Sequence, residues 1–125
     1  MPIDASLPYD DTNIIARILR GELPCNKVLE TEHSLAIHDI NPLAPIHVLV
    51  IPKGAYVSWD DFSARASEAE IVDLVRAVGE AGRKTGASTQ GYRLLANMGK
   101  RGGQEIAHLH VHLFGGAPLG PMLSR

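Results

Sequence analysis

The 125-residue chain predicts an α+β fold in which one long helix lies on a largely antiparallel sheet. Three observations carry that expectation. Segments rich in branched residues flank a single stretch of helical period. Most prolines and glycines fall between these segments rather than inside them. No repeat or polar linker divides the chain. With 45% hydrophobic and 21% charged residues, the composition is that of one globular domain with one core.

Residues 1–10 hold two prolines and no periodic pattern, so they read as a loose arm; 11–125 read as the domain. In "DDTNIIARILRGELP" a short helix is expected. Asp11 or Thr12 caps it, Ile14, Ile15, Ile18 and Leu19 form its apolar stripe, and Gly21 and Pro24 end it. Lys27–Glu32 and Ser34–Asp39 then read as paired strands. "NPLAP" is a turn, because two prolines within four positions cannot continue a sheet. Ile46–Pro52 follows as a strand, with His47, Leu49 and Ile51 on one face and Ile46, Val48 and Val50 on the other. From Ser67 the period changes. Ser67 and Glu70 form a capping box, and Ile71, Leu74, Val75 and Val78 keep helical spacing towards Gly86. "GYRLLANM" is the next strand, "GKRGG" a tight loop and "AHLHVHLF" the last strand, giving a sheet of about five.

Composition also narrows function. A formal net charge of -2 gives no electrostatic basis for broad nucleic-acid binding. No apolar run approaches the roughly 20 residues of a membrane-spanning helix. "MPIDASLPYDD" lacks the basic-then-apolar profile of a signal peptide, so a cytoplasmic location is expected. With one cysteine, Cys25, neither an intrachain disulfide nor a Cys-rich zinc site can form.

The segment "GGQEIAHLHVHLFGG" concentrates three of the six histidines. On a strand, His108, His110, His112 and Phe114 point one way and Leu109, Val111 and Leu113 the other, into a core. A row of imidazoles in a cleft supplies donors, acceptors and protons near neutral pH. Three readings stand at this point: a solvated face, a zinc site sharing alternate histidines, or phosphate chemistry. The outer two histidines of such a row diverge, and only Glu105 adds a nearby ligand type. Phosphate chemistry fits better.

The run His108-Leu109-His110-Val111-His112-Leu113-Phe114 resembles the pattern that names the histidine triad superfamily of nucleotide hydrolases and transferases. "DTNIIARILRGELP", "AIHDINPLAPIHVLVIPK", "GYRLLAN" and "GGQEIAHLHVHLFGGAPLGPML" are similar, in order, to its nucleotide-binding (Hint) branch. That resemblance implies a HIT-like fold and hydrolysis of purine nucleoside phosphoramidates or aminoacyl-adenylates to AMP through a nucleotidyl-histidine. It implies His110 as nucleophile, held by a backbone carbonyl near His108, and His112 with His47 against the phosphate. It further implies Asp39 on the ribose, Ile15, Ile18, Ile40 and Leu49 around the base, and Asn97 near the phosphate or leaving group. Backbone amides of Gly103 and Gln104 would approach the phosphate. Glu105 stands where some members carry a serine, and Ala107 where an aromatic is common. His33 and His38 match no catalytic position. The resemblance also implies a homodimer and requires no cofactor or metal. A non-catalytic nucleotide-binding regulator and a zinc-binding protein are the rival functions.

Overall fold

The computed structural model describes residues 1–123; Ser124 and Arg125, part of the expected domain 11–125, lie outside the described residues. Among the described residues five strands run in chain order: β1 (Lys27–Glu30), β2 (Ser34–His38), β3 (Ile46–Pro52), β4 (Arg93–Leu95) and β5 (Val111–Gly115). They form one antiparallel sheet in the order β1-β2-β3-β5-β4. Among the same described residues five helices accompany it: α1 (Ile14–Leu19), α2 (Trp59–Arg65), α3 (Glu68–Lys84), α4 (Ala87–Gln90) and α5 (Gly99–Gly102).

Strand alternation divides the core into two clusters. Ala36, Val48, Val50, Val111 and Leu113 face α3, meeting Leu74, Ala77, Val78 and Ala81. On the other face Leu35, Ile37, Leu49 and Ile51 meet Ile15 of α1. The long helix begins where the Ser67–Glu70 spacing places it, with both halves of the capping box formed. It lies close enough to the sheet that a Cβ on Gly82 would sit 2.7 Å from the Tyr92 ring. Val75, expected on its inner stripe, is instead 64% exposed.

Four local differences from the expected elements have physical causes. The cap of α1 is Asn13, whose side chain accepts from the Ala16 amide; Asp10 serves the turn before it, accepting from the Thr12 amide. The α2 helix has no apolar stripe to announce it, only a Ser58 cap and one buried residue, Phe62. "GKRGG" closes into one helical turn, α5, ended by Gly103 at φ 77°. The last strand starts at Val111 rather than Ala107 because Val50 is the last β3 residue it pairs with. Beyond that point Pro52 has no N–H to give, and its carbonyl is taken by the His108 ring. Among the described residues, no helix is long and apolar enough to cross a membrane.

Candidate active site

The register of β3 against β5 builds the site on the α1 face. His47 stands opposite Phe114 and Leu49 opposite His112, so two histidines from distant segments meet side by side. His47 Nε2 lies 2.9 Å from His112 Nδ1. Phe114 stacks on His112 with rings only 2° from parallel and sits 4.3 Å, centroid to centroid, from His47. His110 joins edge-on, 5.1 Å from the His112 ring.

Backbone groups, whose donor and acceptor roles are fixed, set every tautomer. The Leu43 amide donates to His47 Nδ1 at 3.1 Å, so neutral His47 carries its proton on Nε2 and donates to His112 Nδ1. His112 then holds its own proton on Nε2. The His108 carbonyl accepts from His110 Nδ1 at 2.7 Å, which leaves a lone pair on His110 Nε2. The Pro52 carbonyl accepts from His108 Nε2 at 2.8 Å, so His108 Nδ1 is the acceptor for the Tyr9 hydroxyl at 2.6 Å. The cluster therefore presents one nucleophilic lone pair, on His110, beside one N–H donor, on His112.

Burial holds these rings neutral. His108 and His112 are pushed down to about 4, chiefly by burial, with the neighbouring His110 adding to the shift. Pro52 opposes the shift at His108, as Asp39 does at His112. Burial also lowers His110, against the His108 carbonyl and Asp39, and lowers His47, against Asp39. Imidazoles so placed keep their lone pairs at neutral pH.

Asp39 follows β2 and brings a carboxylate to this cluster. Its Oδ2 lies 3.4 Å from His47 Nε2 and its Oδ1 accepts from the Asn41 amide at 2.8 Å. The ligand atoms of Asp39, His47 and His112 all lie within 4.8 Å of one another, close enough to consider a cation. The hydrogen bonding opposes one, because the Leu43 amide keeps the His47 proton on the nitrogen a metal would need.

The other expected positions divide. Ile40 is 90% exposed and Ile18 half-buried, so both keep free apolar surface. Ile15 and Leu49 are buried in the second core cluster. Asn97, two residues past β4, is half-buried. The amides of Gly103 and Gln104 already donate to the Lys100 and Gly99 carbonyls. The Gln104 side chain is buried and bonded to Gly99, Val57 and Ile106, a bracing role. Glu105 is exposed, as is His38, while His33 is half-buried in the β1–β2 turn. Tyr9, the Leu43 amide and the Pro52 carbonyl are site elements that no local motif announces. Ala107 is half-buried and brings no ring to the cluster.

Known proteins are similar to this chain in sequence and fold. The chain is 65% identical over 94% of its length to an uncharacterized 13.2 kDa HIT-like protein of Azospirillum brasilense, covering 96% of that protein. It is 37% identical over 91% of its length to the purine nucleoside phosphoramidase of Escherichia coli, covering 95% of that protein. A solved HIT family hydrolase from Clostridium thermocellum superposes with a TM-score of 0.83 at 36% identity, over 92% of this chain and 99% of that one. The model of the HIT domain matches residues 20–119, a span that takes in β1 through β5 and all three histidines of the triad. The chain belongs to the HIT domain family.

Proposed function

We propose that this protein is a hydrolase of purine nucleoside phosphoramidates and aminoacyl-adenylates, releasing AMP through a nucleotide covalently held on His110. The observation that carries the reading is the fixed tautomer of His110, whose Nδ1–H is spent on the His108 carbonyl. Its Nε2 lone pair attacks the α-phosphorus, and the bond from phosphorus to the leaving nitrogen or oxygen breaks. His112 Nε2–H faces the incoming phosphoryl oxygen. A phosphate anion there favours the charged form of His112, and Asp39 is the carboxylate placed to offset that charge. Charged His112 gives its Nε2 proton to the departing amine. In the second half, water attacks phosphorus, its proton passes to His112, and the bond to His110 breaks.

Asp39 is assigned to the ribose hydroxyls, since each carboxylate oxygen keeps a second lone pair beside its present contact. Ile18 and Ile40 are the apolar surface for the base, with Ile15 and Leu49 beneath as support. Asn97 is assigned to the phosphate end, and the Gly103–Gln104 loop, whose amides and Gln104 side chain are bonded within the protein, to bracing that end. Glu105, exposed in that loop, is assigned to favour a leaving group bearing positive charge. A homodimer completes the reading. Its support is the open edge of β4 beside exposed Trp59, Val75, Leu94 and Leu95, an apolar strip that paired sheets would cover. The substrate is a soluble AMP conjugate, and a cytoplasmic site of action fits it.

Turnover of a fluorogenic adenosine phosphoramidate, with and without a chelator, tests the proposal. Wild type should release AMP equally in both conditions, and His110→Ala should lose turnover while still binding AMP. His110→Ala turnover within about tenfold of wild type refutes the nucleophile. Loss of activity with chelator would favour the cation site at Asp39, His47 and His112. Tight AMP binding without turnover would favour a regulator.

A further inference from the structure

The first ten residues carry no regular element, yet they are tied at two points. The Ile3 amide donates to the Gln104 carbonyl at 2.7 Å. At the other end Asp10 accepts from the Thr12 amide and hydroxyl, and its carbonyl takes the Asn13 side chain, which fastens the chain to the start of α1. Between these ties Tyr9 turns its ring edge-on to His108, 5.6 Å between centroids and 70° between planes. Its hydroxyl meets His108 Nδ1 at 2.6 Å.

His108 has no solvent exposure. Because its Nε2–H is committed to Pro52, its Nδ1 is an acceptor that water cannot reach, and Tyr9 is the donor that satisfies it. An unpaired acceptor there would carry the full cost of its desolvation. The ring of His108 is thus held from both sides, by the arm and by the end of β3. The same residue holds the ring of His110 through its carbonyl, and the next amide, Leu109, is fixed on the Tyr56 carbonyl at 2.8 Å. The His108 ring has no free space to turn about its own side-chain bonds. Without the Tyr9 donor its Nδ1 can therefore reach another partner only through a shift of the His108 backbone, and that shift carries the carbonyl that sets the aim of His110.

We propose that Tyr9 is a positioning residue for the nucleophile: its hydroxyl locks His108, and the locked His108 carbonyl holds His110 with the Nε2 lone pair facing the phosphorus. The proposal rests on the reading of His110 as nucleophile. Tyr9 does not touch the substrate, so it governs the rate of attack rather than nucleotide affinity. Docking of the arm becomes a condition for the full rate of turnover.

The test uses the full chain and the variant Tyr9→Phe, which keeps the ring and removes the donor. In a fluorogenic phosphoramidate assay, kcat should fall about tenfold while KM stays within about twofold. Long-range ¹H–¹⁵N spectra of the imidazoles give a readout independent of turnover. Wild type should show single tautomers, His108 protonated on Nε2 and His110 on Nδ1. Tyr9→Phe should mix the two forms of His110. A merely structural Tyr9 would lower the melting temperature and leave kcat and the His110 tautomer unchanged, which overturns the proposal. So does a wild-type spectrum with His108 protonated on Nδ1, a result available even if the variant folds poorly. His110→Ala in parallel separates the failures. If it retains turnover, the nucleophile reading falls and takes this proposal with it. If it is inactive while Tyr9→Phe behaves as wild type, the role of Tyr9 alone falls.

Discussion

Acid should destabilise this protein through His108, by an amount its burial sets. The ring is wholly buried, and its pKa stands at about 4 against an ordinary 6.5, chiefly from burial. The unfolded chain binds a proton there more readily than the native one, so stability is fully present above pH 6.5 and drains away as pH falls towards 4. The whole shift corresponds to roughly 3 kcal/mol, and a step from pH 7 to pH 5 to about 2 kcal/mol. Against a typical total of about 5–15 kcal/mol that is a large fraction. Urea unfolding at the two pH values, in wild type and in His108→Gln, isolates the effect. Glutamine does not titrate, and its amide can still donate towards Pro52 and accept from Tyr9. The variant should begin less stable at pH 7 and lose about 2 kcal/mol less on acidification. Parallel losses in both proteins would show that His108 is not held neutral by burial.

Asp39→Ala should weaken AMP binding by about 1.5–3 kcal/mol and 2′-deoxy-AMP binding by much less, since a charged acceptor loses both hydroxyls; equal losses in calorimetry refute the ribose contact. The acid limb of the kcat/KM profile should lie below the ordinary histidine range, because burial lowers the His110 pKa and the neutral form attacks; an acid limb centred at or above about pH 6.5, the ordinary histidine value, contradicts it. Gly82→Ala should cost about 1–3 kcal/mol in thermal or urea unfolding, because the new Cβ meets the Tyr92 ring at 2.7 Å; an unchanged stability would mean that the Tyr92 ring can move away from α3 freely.

The elements written in the sequence as a period were legible, and those made by distant partners were not. Alternation placed His47, Leu49 and Ile51 on one face of β3 and Val48 and Val50 on the other, as the two core clusters show. Ser67 and Glu70 announced α3 because a capping box is local. The α2 helix was invisible, since a helix with one buried residue has no stripe to read. Within the site, the histidines and Asp39 were legible as residue types. Their proton positions were not, because these come from Leu43, Pro52 and Tyr9. Tyr9 lies 99 residues from the ring it satisfies and Pro52 lies 56, and neither belongs to a motif.

The pairing of β3 with β5 has a further consequence, in the order of events during folding. His47 and His112 are 65 residues apart, and α2, α3, α4, β4 and α5 all intervene. Closing a loop of that length carries an entropic cost that local contacts cannot repay in advance, so such pairings form slowly. A nascent chain that has not yet extended past β5 has β1, β2, β3 and α3 to work with, but no partner for His47. Reactive imidazole chemistry is thereby withheld from incomplete chains. The shift of the His47 and His112 ring signals on pairing becomes a clock for this long-range step of folding.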